Sequence, residues 1–380
     1  MDIICDENPE RSNKEMLCTN EELKYHTHLC YYIYKYIHFT EIHMKKKICI
    51  LNTGGTIGMV PTEQGYAPQK GFLATLLDEM PELKDEAMPE WEVIEFDPLL
   101  DSSNMTAEHW DAIGSTIDQY YDDYDGFVIL HGTDTMSYTA SALSFMLENL
   151  NKPVILTGSQ IPLCKLRSDG RDNIIDSMVI AAEGVAREVC LYFGGKLLRG
   201  NRSTKVSADQ LVAFESPNYP VLAKVGIDIK YNTSALLTPP QYGTFNFRPM
   251  HQVPIGVLKF FPGIQFNLFE SIMTDKLKGI VLETFGAGNI PSYNNDLPGI
   301  IQKAFDKGTI VTVCSQCLHG STMLGAYATS SPLKDAGAVS GYDMTTEAAV
   351  TKLYYLFSCG YSAKRIKDLM ETDLRGELSK

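Results

Sequence analysis

From residue 44 onward, short apolar runs rich in Val, Ile and Leu recur along the chain. They fall at Lys47–Asn52, Gly126–Leu130, Pro153–Thr157 and Glu188–Phe193, and later at Ile255–Phe260, Gly279–Glu283 and Thr309–Cys314. They do not alternate between apolar and polar positions. Continuous apolar runs of this length predict strands buried on both faces, as in a parallel sheet covered by helices. Between them lie stretches with helical character, at Thr106–Asp123, Thr135–Leu150, Asn173–Glu183, Pro298–Lys307 and Thr345–Phe357. Strand–helix alternation predicts an α/β fold whose mostly parallel sheet carries helices on both faces. Residues 231–254 break that rhythm with Pro, Asn, Thr and Tyr and read as a linker. The expected organisation is a larger N-terminal α/β domain over 44–230, the linker over 231–254, and a smaller C-terminal α/β domain over 255–380.

Residues 1–43 follow neither period. Their start is acidic (Asp2, Asp6, Glu7, Glu10), whereas a secretory signal needs a basic start, an apolar core and a small-residue cleavage site. At Met44 the text changes to three lysines and then the first strand-like run. The expectation is that Met44 is the natural start, with residues 1–43 an artefact of an upstream one. The alternative is an extension that is translated but disordered or weakly helical, and N-terminal sequencing of the native protein separates the two.

Composition narrows the function class. The 380 residues carry 33 Lys plus Arg against 47 Asp plus Glu, a formal charge of −14. Nucleic-acid coats and polybasic membrane binders need clustered positive charge, so neither partner is expected. No apolar run reaches the ~18 residues of a spanning helix. Nine cysteines, an odd number scattered over the chain, suit a reducing compartment better than a disulfide framework, which predicts a cytoplasmic protein.

Polar signatures cluster where the predicted strands end, the place where open α/β sheets bind ligands. The first strand runs into Thr53-Gly54-Gly55-Thr56-Ile57-Gly58, the next into His131-Gly132-Thr133-Asp134-Thr135, and a third into Thr157-Gly158-Ser159-Gln160. One such loop reads as a turn or helix cap, and Asp134 could be an N-cap. Three at strand ends point to a site. Glycines let backbone N–H groups approach a ligand, and Thr hydroxyls can act as nucleophile or donor. The chain has no Gly-x-Gly-x-x-Gly after its first strand, no Gly-Lys-Ser/Thr phosphate loop and no Gly-x-Ser-x-Gly elbow. Cys314-Ser315-Gln316-Cys317 stands alone at the end of a predicted strand and reads as buried structural thiols. No His–carboxylate cluster has metal spacing, so no metal and no cofactor is expected. What remains is hydroxyl chemistry, in which a weak Thr nucleophile must be activated. The candidate set is Thr56, Thr133 and Asp134, with Lys205 from the loop Arg202-Ser203-Thr204-Lys205. Taken alone, Lys205 reads as a solvated surface lysine.

The two threonine loops together resemble the paired signatures of the bacterial-type L-asparaginases. Thr157–Gln160, Arg167-Ser168-Asp169-Gly170, Gly200–Lys205, Gly286-Ala287-Gly288-Asn289 and the closing Leu374-Arg375-Gly376-Glu377-Leu378 agree in order and spacing over 44–380. The chain is most similar to the cytosolic type I subgroup. The resemblance implies a larger N-terminal, mostly parallel flavodoxin- or Rossmann-like sheet domain plus a smaller C-terminal α/β domain. It implies hydrolysis of L-asparagine to L-aspartate and ammonia, with weaker action on glutamine, in homotetramers built as dimers of dimers. By position, Thr56 matches the nucleophile and Tyr66 the lid tyrosine that assists it. Thr133, Asp134 and Lys205 match a second triad. Asp101-Ser102-Ser103 matches the loop for the substrate carboxylate, and Asn289 a residue approaching a neighbouring subunit's site. Double displacement through Thr56 is the expected mechanism, with the main base left open between Tyr66 and the Lys205 network. A glutaminase-leaning amidohydrolase and a non-catalytic amino-acid-binding module on the same scaffold are the alternative readings.

Overall fold

Lys47–Gly54 (β1) carries the apolar run Ile48–Leu51 and is buried from Ile48 on, which is possible only for a strand inside a covered sheet. A computed structural model gives the protein's structure and describes residues 45–63, 65–238, 243–291, 296–325 and 330–380. The expectation for residues 1–43 therefore lies outside the described residues.

After β1 the chain forms a hairpin of Met59–Thr62 (β2) and Gly65–Pro68 (β3), then helix Phe72–Glu79 (α1) and strand Glu90–Leu100 (β4). Ala107–Gln119 (α2), Gly126–Leu130 (β5), Met136–Met146 (α3), Leu147–Glu148 (β6), Val154–Thr157 (β7), Gly170–Glu183 (α4) and Val189–Phe193 (β8) follow. Antiparallel strands Lys196–Arg199 (β9), Ala223–Val225 (β12) and Ile229–Tyr231 (β13) extend the sheet, and Thr204–Lys205 (β10) pairs separately with Phe214–Glu215 (β11). The sheet order is β13-β12-β9-β8-β7-β5-β1-β4. Its parallel part, β4-β1-β5-β7-β8, has the flavodoxin-like order 2-1-3-4-5.

The second sheet is parallel throughout: Ile255–Lys259 (β15), Gly279–Thr284 (β16), Ile310–Ser315 (β17) and Val339–Ser340 (β18). Glu270–Asp275 (α5), Asp296–Asp306 (α6), Ser331–Asp335 (α7), Thr346–Ser358 (α8) and Ala363–Met370 (α9) accompany it. The stretch 231–254 is pinned along part of its length. Asn246–Phe247 (β14) pairs with β6, and Arg248 forms an ion pair with Glu148 at 3.0 Å.

The predicted strands and helices occur within a few residues of their expected bounds. The expected helix over Thr135–Leu150 stops at Met146, because Leu147 turns into the β6 ladder. β4 was not foreseen. Its sequence EWEVIEFDPLL alternates at first, as an edge strand with a solvated face does. α3 is buried along its whole length and packs against α8, where Phe145 and Tyr355 stack at 5.8 Å. The C-terminal residues close this core. Glu377 and Lys352, both fully buried, form an ion pair at 2.5 Å. Arg202 Nε donates to Gly376 O at 2.8 Å, and Arg202 pairs with Asp343 at 2.9 Å.

Candidate active site

The chain leaves β1 toward β4 on one side and later reaches β5 on the other, so β1 stands at the topological switch point of the sheet. Open α/β sheets bind their ligands there, outside the carboxyl ends of the parallel strands. Two glycines let the loops meet. Gly55 has φ +94°, and a Cβ on it would stand 2.4 Å from Gly132 N. A Cβ on Gly132 would stand 2.4 Å from Ser102 Oγ. The loops after β1, β4 and β5 thus touch through backbone that no side chain separates.

Each loop is fixed from below. Thr53 Oγ1 donates to Leu130 O at 2.8 Å, tying the ends of β1 and β5. Asp101 caps the short 3-10 turn Ser102–Asn104 by accepting the Ser103 N–H at 3.0 Å. Ser102 is buried, and its carbonyl accepts Thr135 Oγ1 at 2.7 Å. Ser103 and Asp101 are exposed. The two-residue strand β10 presents Lys205, whose Nζ donates to Thr133 Oγ1 and to Asp134 Oδ1, each at 2.8 Å. Thr133 Oγ1 in turn donates to Gln160 Oε1 at 3.2 Å. The Lys205 side chain is 20% exposed, so it is turned inward and is not a solvated surface lysine. Asp134, at 65%, keeps a carboxylate edge open to a ligand.

Thr56 is half-buried one residue beyond the Gly55–Gly132 contact, at the start of the turn Thr56–Gly58. Tyr66 projects from the β2–β3 hairpin opposite Pro61 and is 42% exposed. Asn289 is placed elsewhere. It closes a turn after β16 in the second sheet, where its N–H donates to Phe285 O at 2.8 Å. Sequence reasoning quoted Gln160 and Asp169 inside motifs but gave them no role. Asp169 accepts the N–H groups of Gln160 and Ile161 at 3.0–3.1 Å, so it aims the Gln160 loop at Thr133. Among the described residues no group of three or more His, Cys, Asp and Glu is gathered as metal ligands are.

His131 belongs to the frame. Its Nδ1 meets Gly132 O at 2.7 Å, its Nε2 meets Thr139 Oγ1 at 2.9 Å, and Trp110 Nε1 donates to that same Thr139 oxygen. Burial pushes the imidazole pKa down from 6.5 to about 4, against the smaller upward pull of the Gly132 carbonyl, so it is neutral at pH 7. A depressed histidine contributes stability above its unfolded value and loses it as pH falls toward the folded one. Between pH 6.5 and 4 the chain is expected to lose on the order of 3 kcal/mol through His131. Denaturation curves at pH 7, 5 and 4 will show a shallower loss in His131→Gln; equal slopes remove the assignment.

The cluster offers a hydroxyl held by an ammonium, a second hydroxyl on a glycine-flanked turn, and a carboxylate open to an amine. Profiles of known families agree with this chemistry. Residues 47–237 match one described as Asparaginase, N-terminal, and residues 254–370 one described as Glutaminase/Asparaginase C-terminal domain. The chain is 47% identical over 338 residues to L-asparaginase 1 of Escherichia coli (strain K12), covering 88% of this chain and 98% of that protein. It is similar to the crystal structure of L-asparaginase I from Vibrio cholerae, with TM-score 0.82, 45% identity and coverage of 88% and 100%. The thermostable L-asparaginase of Thermococcus kodakarensis matches with TM-score 0.80, 32% identity and coverage of 88% and 99%.

Proposed function

The chain belongs to the asparaginase family and is an amidohydrolase that converts L-asparagine to L-aspartate and ammonia, and we propose that Thr56 is its nucleophile. The observation that carries this reading is the Lys205–Thr133–Asp134 cluster, set against the Gly55–Gly132 contact that leads into Thr56. Substrate asparagine is a zwitterion. Asp134 pairs with its α-ammonium, while the hydroxyl and backbone N–H of Ser102 hold its α-carboxylate. Thr56 Oγ1 then attacks the side-chain amide carbon, its proton passes to the amide nitrogen, the C–N bond breaks to release ammonia, and an aspartyl ester remains. Water near Thr133 adds to the ester carbon, and the C–O bond breaks to return the proton to Thr56. Donors already aimed at the developing oxyanion are worth roughly 3–4 kcal/mol each. Lys205 holds the Asp134 carboxylate in place and polarises the Thr133 hydroxyl. Tyr66 assists Thr56 from the hairpin.

The enzyme is cytoplasmic and works as a homotetramer, a dimer of dimers in which Asn289 serves a neighbouring subunit's site. Asn289 stands on the turn after β16, bridged to Phe285, outside the loops that build the Thr133 cluster. Among the described residues no helix is long and apolar enough to cross a membrane.

Rapid quench of the full chain with asparagine, followed by peptide mapping, tests the mechanism. An aspartyl ester on the peptide holding Thr56 is the expected result. An ester on Thr133 moves the nucleophile, and ammonia release with no ester at either threonine overturns double displacement.

A further inference from the structure

The hairpin that carries Tyr66 rests on a second loop, residues 160–168, whose sequence no step of the reaction has used. Leu163 N–H donates to Ile57 O at 3.1 Å, and the Cys164 thiol donates to Met59 O at 3.5 Å. Lys165 Nζ lies 5.1 Å from the centre of the Tyr66 ring. The loop is a built platform. Asp169 takes two of its N–H groups, Ser168 Oγ donates to Ile161 O at 2.9 Å, and Gln160 bonds Thr133. One turn therefore touches both the Thr133 cluster and the hairpin bearing Tyr66, through β2 and through the Tyr66 ring.

An exposed lysine ordinarily points to water or pairs with a carboxylate. Among the described residues Lys165 has no carboxylate partner, and its neighbour is a phenol. We propose that Lys165 is a positioning residue for Tyr66, holding the ring over the site and stabilising negative charge on its oxygen during proton relay. The neighbouring Tyr66 phenol raises the Lys165 ammonium above its ordinary pKa. In the relay, Thr56 gives its proton to the Tyr66 oxygen as the C–O bond forms. Tyr66 passes its own proton to the leaving nitrogen, so the phenol ends as it began. A cation on the ring favours partial negative charge on the oxygen during that exchange.

The inference rests on Tyr66 assisting Thr56, and the test separates the two. Ammonia release from asparagine gives kcat and KM for the full chain and for Tyr66→Phe, Lys165→Met, Lys165→Arg and the double variant Lys165→Met/Tyr66→Phe. Lys165→Met is expected to lower kcat roughly three- to ten-fold with KM changed less than about two-fold. Lys165→Arg recovers most of the rate, because a guanidinium also sits on an aromatic face. In the Tyr66→Phe background Lys165→Met has no further effect, the signature of a residue acting through its neighbour. Wild-type kcat in Lys165→Met overturns the inference, and so does an equal loss in both backgrounds. Wild-type kcat in Tyr66→Phe overturns the reading of Tyr66 itself, and the inference with it.

Discussion

Thr56→Ala is expected to lower kcat for asparagine by about four orders of magnitude, with the melting curve unchanged. The change is local. Thr56 is half-buried outside the apolar core, and alanine keeps the backbone of the Gly55–Gly58 turn. What is lost is the oxygen that forms the ester. The rest of the site stays preorganised, so the variant still binds aspartate, because Asp134, Ser102 and Lys205 remain in place. Calorimetric titration with aspartate checks that half of the statement, and coupled ammonia detection checks the rate. The Thr133→Ala variant provides the contrast. It leaves Lys205 without its hydroxyl acceptor and Gln160 without its donor, so its aspartate affinity falls together with its rate. A Thr56→Ala enzyme within ten-fold of the parent would place the nucleophile elsewhere, with Thr133 the next candidate.

The sheet and the site differ in how far they were legible from residues alone. β1, β5, β7 and β8 each hold a continuous apolar run because both their faces are covered, and such runs stand out in a sequence. β4 and the antiparallel extension β9-β12-β13 were missed. Each is short or half-solvated, so its pattern is set by neighbours far along the chain. The threonine loops were visible as motifs, yet only the structure brings Ser102, Gly55 and Gly132 into contact, since three chain segments meet there. Lys205 is the instructive residue. Alone it reads as surface charge, and it becomes part of a site only because the Gly200–Arg202 turn and the β10–β11 ladder direct it at Thr133. Asp169 and Lys165 act on residues that sequence reasoning had already singled out, one through backbone amides and the other through a ring. Neither kind of contact leaves a periodic trace.

Glu377→Ala is expected to destabilise the fold by roughly 3–5 kcal/mol, a large part of the total for a domain. The mutation removes the ion-pair partner of Lys352, which is fully buried and keeps the carbonyls of Met370 and Thr372, at 3.1 and 2.6 Å, as hydrogen-bond acceptors. It also removes the acceptor for the Leu374 and Arg375 N–H groups. The penalty comes from leaving one charge unpaired, so Glu377→Ala/Lys352→Met should regain most of the loss; a double variant no better than the single removes that account. Burial alone would raise the Glu377 pKa, but Lys352 and the backbone N–H groups outweigh it and hold the carboxyl below its ordinary value. A depressed carboxyl contributes stability that is fully present above the unfolded value near 4.3 and is lost as pH falls through the folded one. The parent's advantage over Glu377→Gln should therefore be constant from pH 7 to 5 and shrink in more acid solution, read from denaturant midpoints. The loss will not stay in the core. Gly376 O accepts Arg199 and Arg202 at 3.3 and 2.8 Å, and those arginines frame the turn that delivers Lys205. Where Glu377→Ala still folds, its kcat should fall along with its stability, because the two-residue ladder of β10 and β11 is too short to hold Lys205 on Thr133 unaided.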